Sequence, residues 1–168
     1  MTRVFLGIGA NIEPLRNIPA GLTRLAQALT ILRLSPGYRS PAMGFDGPEF
    51  INLVAEVETS LTLAELNLCL KQIETEFGRE ADAAKFSSRA LDIDILLFGD
   101  LTGAHQGIEL PRPDVHQFAF VLRPLLDLIP DGVCPQTGQP FRAYLPRIQG
   151  QILEPCDLVW QPLLNVSG

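Results

Sequence analysis

Basic charge is scarce in this sequence. Against 19 Asp and Glu it sets only 13 Lys and Arg, a net charge of −6 over 168 residues. Non-specific nucleic-acid binding depends on neutralising phosphates with Lys and Arg, so this balance argues against a nucleic-acid partner. It leaves room for a local Arg cluster that binds a phosphorylated small ligand. Cysteine is rarer still: Cys69, Cys134 and Cys156 are odd in number and widely spaced, with no CxxC and no Cys/His ligand spacing. That argues against a zinc site or a disulfide framework and makes a reducing cytoplasm the expected setting. Long apolar runs are missing too. The stretch within Met1–Gly9 is too short for a signal peptide, and nothing approaches a membrane span. There is no Gly-x-x-x-x-Gly-Lys-Ser/Thr and no full GxGxxG, which removes the P-loop and the dinucleotide fingerprint. Neither an internal repeat nor a low-complexity tract is present. With 46% hydrophobic and 19% charged residues the composition is that of an ordinary globular chain. Residues 1–168 read as a single domain with a real core.

What is present centres on Arg89-Ala90-Leu91-Asp92-Ile93-Asp94-Ile95-Leu96-Leu97-Phe98-Gly99. From Ile93 to Phe98 the run is apolar except for Asp94, which predicts a strand buried on at least one face. Residues two apart on a strand share a face, so Asp92 and Asp94 project side by side. Two adjacent carboxylates on an apolar strand repel and call for a cation between them. Mg²⁺, held by one or two carboxylates plus substrate phosphates, fits that need. A solvated strand end is the competing reading of the same spacing.

In chain order, Arg3 to Gly9 predicts a first strand ending in a Gly9-Ala10-Asn11 turn. Ile18 to Leu32 carries Leu22, Leu25, Ala26 and Leu29 at helical spacing. Leu34 to Arg39 predicts a short strand, and 36–48 a Pro/Gly-rich loop long enough to be functional. Phe50 to Thr59 is the next strand, with Phe50 and Asn52 on one face and Val54 beyond them. That pair reads either as a core Phe beside a turn-proximal Asn or as an aromatic ring and amide facing a flat heterocycle. Thr62 to Gly78 predicts a second helix, with Thr62 as cap, Glu65 completing a capping box and Gly78 as terminator; Glu74 falls near the edge of its apolar stripe. A polar connector, Arg79 to Ser88, leads into the central strand. Ile108 to Pro111 reads as a short extended piece. Val115 to Leu128 predicts a third helix with Phe118, Val121, Leu122 and Leu125 on its apolar side, kinked or ended early by Pro124. The Pro-rich tail from Pro130 is expected to wrap the core. The order is βαββαβ, so the expected fold is α+β and ferredoxin-like, a mostly antiparallel sheet packed by helices.

Several short motifs stand in a fixed order: Gly9-Ala10-Asn11, Tyr38-Arg39-Ser40-Pro41, Phe50-Ile51-Asn52, Ile73-Glu74, Gly78-Arg79, Arg89-x-Leu91-Asp92-Ile93-Asp94, Leu110-Pro111 and Phe120-Val121-Leu122-x-Pro124-Leu125. Together they resemble the 6-hydroxymethyl-7,8-dihydropterin pyrophosphokinases of folate biosynthesis, over residues 3 to about 130. The resemblance implies transfer of diphosphate from ATP to the hydroxymethyl group of a reduced pterin, with release of AMP. It implies that Asp92 and Asp94 hold two Mg²⁺ ions, that Phe50 and Phe120 sandwich the pterin ring, and that Asn52 reads its amide edge. Ser40 and Met43 would line the same pocket. Glu74 would lie on the nucleotide side, Arg89 would contact phosphate or adenosine, and Arg79 would open a catalytic loop. The expected partners are ATP and the reduced pterin, and the expected state is a monomer or weak dimer.

The chain departs from the family pattern in its basic residues. Ala81 and Phe86 stand where the family's loop has an Arg and a Trp, and Ser87-Ser88 where Gly-Pro is common. Arg112-Pro113-Asp114 replaces a nucleotide-contacting His, and Phe118 replaces an Arg. Arg112 and Lys85 are the expected compensating cations, and His116 either substitutes for the missing imidazole or is a surface helix residue. The alternative to a working transferase is a pterin-binding paralogue with weak or no transfer, or one that acts on a different pterin.

Overall fold

Alternation along the first strand, β1 (Thr2–Ala10), already divides the molecule into two cores. Val4, Leu6, Ile8 and Ala10 point to one face of the sheet, and Phe5 points to the other. The computed structural model describes residues 1–78 and 90–160. The first face is covered by α1 (Pro14–Ala28) through Ile18, Leu22 and Leu25 and by α2 (Leu63–Glu76) through Leu66, Leu70 and Ile73. α2 begins as its sequence requires: the Thr62 hydroxyl accepts from Glu65 N, and the Glu65 carboxylate accepts in return from Thr62 N. Gly78, at φ +95°, follows the helix in a conformation that other residues rarely adopt.

Between the helices run β2 (Thr30–Leu34), β3 (Gly37–Ser40) and β4 (Phe50–Thr59), and after α2 comes β5 (Asp92–Phe98). The main sheet has the order β5-β1-β4-β3-β8, with β2 also on β4 and β8 (Glu154–Cys156) at the far edge. Its ladders are antiparallel. This is the ferredoxin-like arrangement that the βαββαβ order implied. Phe5 pairs with Leu97 and Leu6 with Ile95, so Leu96 is the extra residue of a bulge in β5. A small hairpin, β6 (Gly103–His105) and β7 (Ile108–Leu110), follows. Then come α3 (Asp114–Gln117), α4 (Ala119–Leu128) and a 3-10 helix at Phe141–Ile148, which together cover the second face of the sheet.

The structure moves several predicted boundaries. The first helix starts at Pro14, since proline at the first helical position needs no N–H partner. It ends at Ala28 because Thr30 and Ile31 pair with β4 as a strand. The predicted strand at Leu34 to Arg39 is two strands, interrupted at Ser35-Pro36 where proline offers no N–H to a ladder. Gly9 and Ala10 belong to β1 rather than to a turn. The β6–β7 turn rests on Gln106 (φ 54°) and Gly107 (φ 84°), a two-residue hairpin signal that the sequence reading passed over. The predicted third helix is broken, and not at Pro124: Phe118 is extended (φ −123°, ψ 129°), while Pro124 sits buried inside a helix that runs on to Leu128. The tail contains regular structure. Its 3-10 helix buries Phe141, Tyr144 and Ile148, β8 extends the sheet edge, and Trp160 Nε1 donates to Thr23 Oγ1 of α1.

Candidate active site

Three strands supply the floor of a cavity of about 370 Å³ on the second face of the sheet. Asp92 and Asp94 come from β5, Asn52 from β4, and Gly7 and Gly9 lie between them on β1. Register makes this compact: Gly9 is opposite both Asn52 and Asp92, and Gly7 is opposite Asp94. The floor is open because the middle strand carries no side chains there. A Cβ on Gly9 would lie 2.1 Å from Asn52 Oδ1. Gly9 is thus required for space and not for a turn.

The walls are aromatic. Phe45 and Phe50 meet edge-on with centroids 6.4 Å apart, and Phe118 and Phe120 stack at 5.2 Å with 16° between planes. Ser40, Pro41 and Met43 complete the side formed by β3 and the following loop. Buried Asn11 donates to Pro48 O at 3.2 Å and ties that loop to the end of β1. Aromatic faces beside a few polar groups suit a flat, hydrogen-bonding ligand.

A second cavity, of about 580 Å³, lies on the outer side of β5 and is polar. α2 lines it with Asn67, Lys71 and Glu74, and the β6–β7 hairpin with Gln106 to Glu109. The two cavities share Asp94, Arg112 and Asp114. Arg112 is fixed there from both ends. Its N–H donates to Leu96 O at the bulge (2.9 Å), and its Nε lies 3.1 Å from Asp114 Oδ2 and 3.7 Å from Asp94 Oδ2. Burial pulls its pKa down, but Asp94, Asp114 and Asp92 together more than offset this, leaving the guanidinium more firmly protonated than usual. The sequence asks for a cation beside the carboxylate pair, and Arg112, expected there as a compensating cation on the nucleotide side, is one.

The pair still fits Mg²⁺. Asp94 keeps about a third of its side chain exposed (32%), and Asp92 is likewise only part-buried. Among the described residues no group of three or more His, Cys, Asp or Glu forms a closed metal cage. Two part-exposed carboxylates on the floor of a cavity match this ion's habits.

Of the residues singled out from sequence, Ser40, Met43, Phe50, Asn52, Phe120, Asp92, Asp94 and Arg112 line the first cavity. Glu74 lines the second. It is buried at 6% exposure rather than at a stripe edge, and its Oε2 accepts from Ile93 N at 2.8 Å, holding β5 to α2. Arg79, Lys85, Arg89 and the connector lie outside the described residues. His116 lines neither cavity. Its ring packs on Tyr144 at 4.1 Å with Nε2 3.5 Å from Cys134 Sγ, and burial, then Arg147, lowers its pKa. The sequence reading missed Gly7, Asp114 and Phe45 as lining residues and took Phe118 for a core residue. The Phe-x-Phe spacing at 118–120 was the available signal.

The family model of 7,8-dihydro-6-hydroxymethylpterin-pyrophosphokinase (HPPK) matches residues 5–130. A 2-amino-4-hydroxy-6-hydroxymethyldihydropteridine pyrophosphokinase of Pseudomonas aeruginosa is 40% identical over 139 residues, covering 77% of this chain and 82% of that protein. One of the same name from Aquifex aeolicus is 33% identical over 148 residues, covering 87% and 92%. Among solved structures, wild-type HPPK-DHPS of Plasmodium falciparum superposes with a TM-score of 0.68 at 13% identity over 87% of this chain, which shows the fold. This chain spans only 41% of that longer protein. On the family match and these identities, the chain belongs to the 7,8-dihydro-6-hydroxymethylpterin-pyrophosphokinase family.

Proposed function

We propose that this protein transfers diphosphate from ATP to the hydroxymethyl group of 6-hydroxymethyl-7,8-dihydropterin, releasing AMP, as a step of folate synthesis. One observation carries the reading: an aromatic cavity and a polar one meet at Asp94, Arg112 and Asp114, with Asp92 alongside. The first suits a flat heterocycle; the second, where Lys71 and Arg112 stand among carboxylates, would suit a polyphosphate that arrives with Mg²⁺. The hydroxyl oxygen bonds to the β-phosphorus as the bond from that phosphorus to the AMP oxygen breaks, and the hydroxyl proton is released to solvent. Little covalent work falls to the protein, so positioning and charge stabilisation supply most of the rate.

In this reading Phe50 and Phe120 hold the pterin by its faces, Asn52 pairs with its amide edge, and Ser40 and Met43 close the side. Glu74 orders the nucleotide cavity, Arg112 faces the phosphates, and Arg79 and Arg89 add phosphate contacts. Asp92 and Asp94 would hold Mg²⁺, two ions in the full complex, whose charge would stabilise the transferring group. Three free thiols support a reducing, cytoplasmic setting. Residues 1–168 act as a single domain, a reading supported by tail residues in both cores.

AMP release from ATP, Mg²⁺ and the hydroxymethyl dihydropterin tests the function. Asp94→Ala should lower kcat by about 100-fold or more, the scale of several kcal/mol expected for lost metal-borne charge stabilisation. Tight pterin binding by the wild-type protein with no AMP release would leave a binding paralogue instead.

A further inference from the structure

We propose that Gln151, in the C-terminal tail, is a positioning residue for the aromatic wall: its side-chain amide holds the break between α3 and α4, and that break sets the Phe118–Phe120 pair. The inference rests on the aromatic cavity being the pterin site. Gln151 Oε1 accepts from Ala119 N at 2.8 Å and its Nε2 donates to Gln117 O at 2.8 Å. One amide thus satisfies a backbone donor and a backbone acceptor on either side of Phe118. α4 has no other side-chain cap, because Phe118 at its N-cap offers none.

The break matters for the rings. In a continuous helix residues two apart point to different sides and do not face each other. Phe118 and Phe120 stack at 16° because Phe118 is extended (φ −123°, ψ 129°). Gln151 itself arrives on a firm frame. Its N–H donates to Ile148 O at 3.1 Å, Gly150 turns the chain at φ +85°, and Phe141, Tyr144 and Ile148 are buried just before it.

Gln151→Met in the full chain keeps length and bulk and removes the amide. The dissociation constant for the hydroxymethyl dihydropterin should rise about tenfold, the loss expected from two ordinary hydrogen bonds. That for Mg²⁺ with a non-hydrolysable ATP analogue should stay within about twofold. Gln151→Glu, which keeps the acceptor for Ala119 N and loses the donor, should fall between. Unchanged pterin affinity, or an equal loss for both ligands, overturns the inference. Amide exchange at Ala119 decides it without any ligand: protected in the wild type, it should become fast in Gln151→Met, and unchanged exchange also overturns the inference. Failure of the wild-type protein to bind the pterin would instead strike the function, and the exchange result would still stand.

Discussion

Gly9 lies on the middle strand with Asn52 on one side and Asp92 on the other, and the 2.1 Å between a built Cβ and Asn52 Oδ1 leaves no room for a methyl group. In Gly9→Ala the Asn52 amide must swing away, while the walls of the polar cavity are untouched. Pterin affinity should fall by about 5- to 150-fold, since an amide that cannot reach its partner forfeits about 1–3 kcal/mol. Affinity for the ATP analogue should change by less than about threefold. Isothermal titration of both ligands checks this, and equal loss would contradict the assignment of Asn52. The residue types at this site were legible in the sequence, though mostly through the resemblance. Alternation placed Phe50 with Asn52 and Asp92 with Asp94. It could not say that Gly7 and Gly9 lie between those pairs, because neighbours across a sheet depend on register and not on local spacing.

At the scale of elements, Glu74 shows how one side chain joins helix to strand. β5 is an edge strand of the sheet, and Glu74 Oε2 takes its Ile93 N–H while Arg112 N takes its Leu96 carbonyl. Glu74→Ala should lower the unfolding free energy by about 1–3 kcal/mol by removing that buried acceptor. Glu74→Gln keeps an acceptor oxygen and most of the stability, so its ATP affinity reports the nucleotide role alone. Urea unfolding of both variants beside nucleotide titration separates the two effects; an alanine variant as stable as the wild type would show that the bond to Ile93 contributes nothing. The α2 capping box was legible because all its partners lie within four residues. The break at Phe118 was not, because it is held by Gln151 from 32 and 34 residues away. A proline inside the helix was the louder local signal, and it misled.

For the molecule as a whole, the tail packs against both faces of the sheet and so contributes to both cores. Phe141 is fully buried on the α4 side, and the sole tryptophan, Trp160, packs on the α1 side and donates to Thr23. If the chain folds as one unit, Phe141→Ala should destabilise everything by about 3–5 kcal/mol. Trp160 fluorescence and far-ultraviolet circular dichroism should then shift together in urea; a tryptophan transition left in place would mean that the two faces unfold separately. The sequence by itself determined the strand and helix periods, the helix cap, the carboxylate pair and, through its ordered motifs, the family. Those features are encoded within a few residues. Tertiary structure alone decided that a bare glycine floor lies under the aromatic walls, that Arg112 and Asp114 converge on Asp94, and that a distant glutamine shapes the aromatic pair. Each depends on segments brought together by chain closure and register, for which local patterning carries no signal.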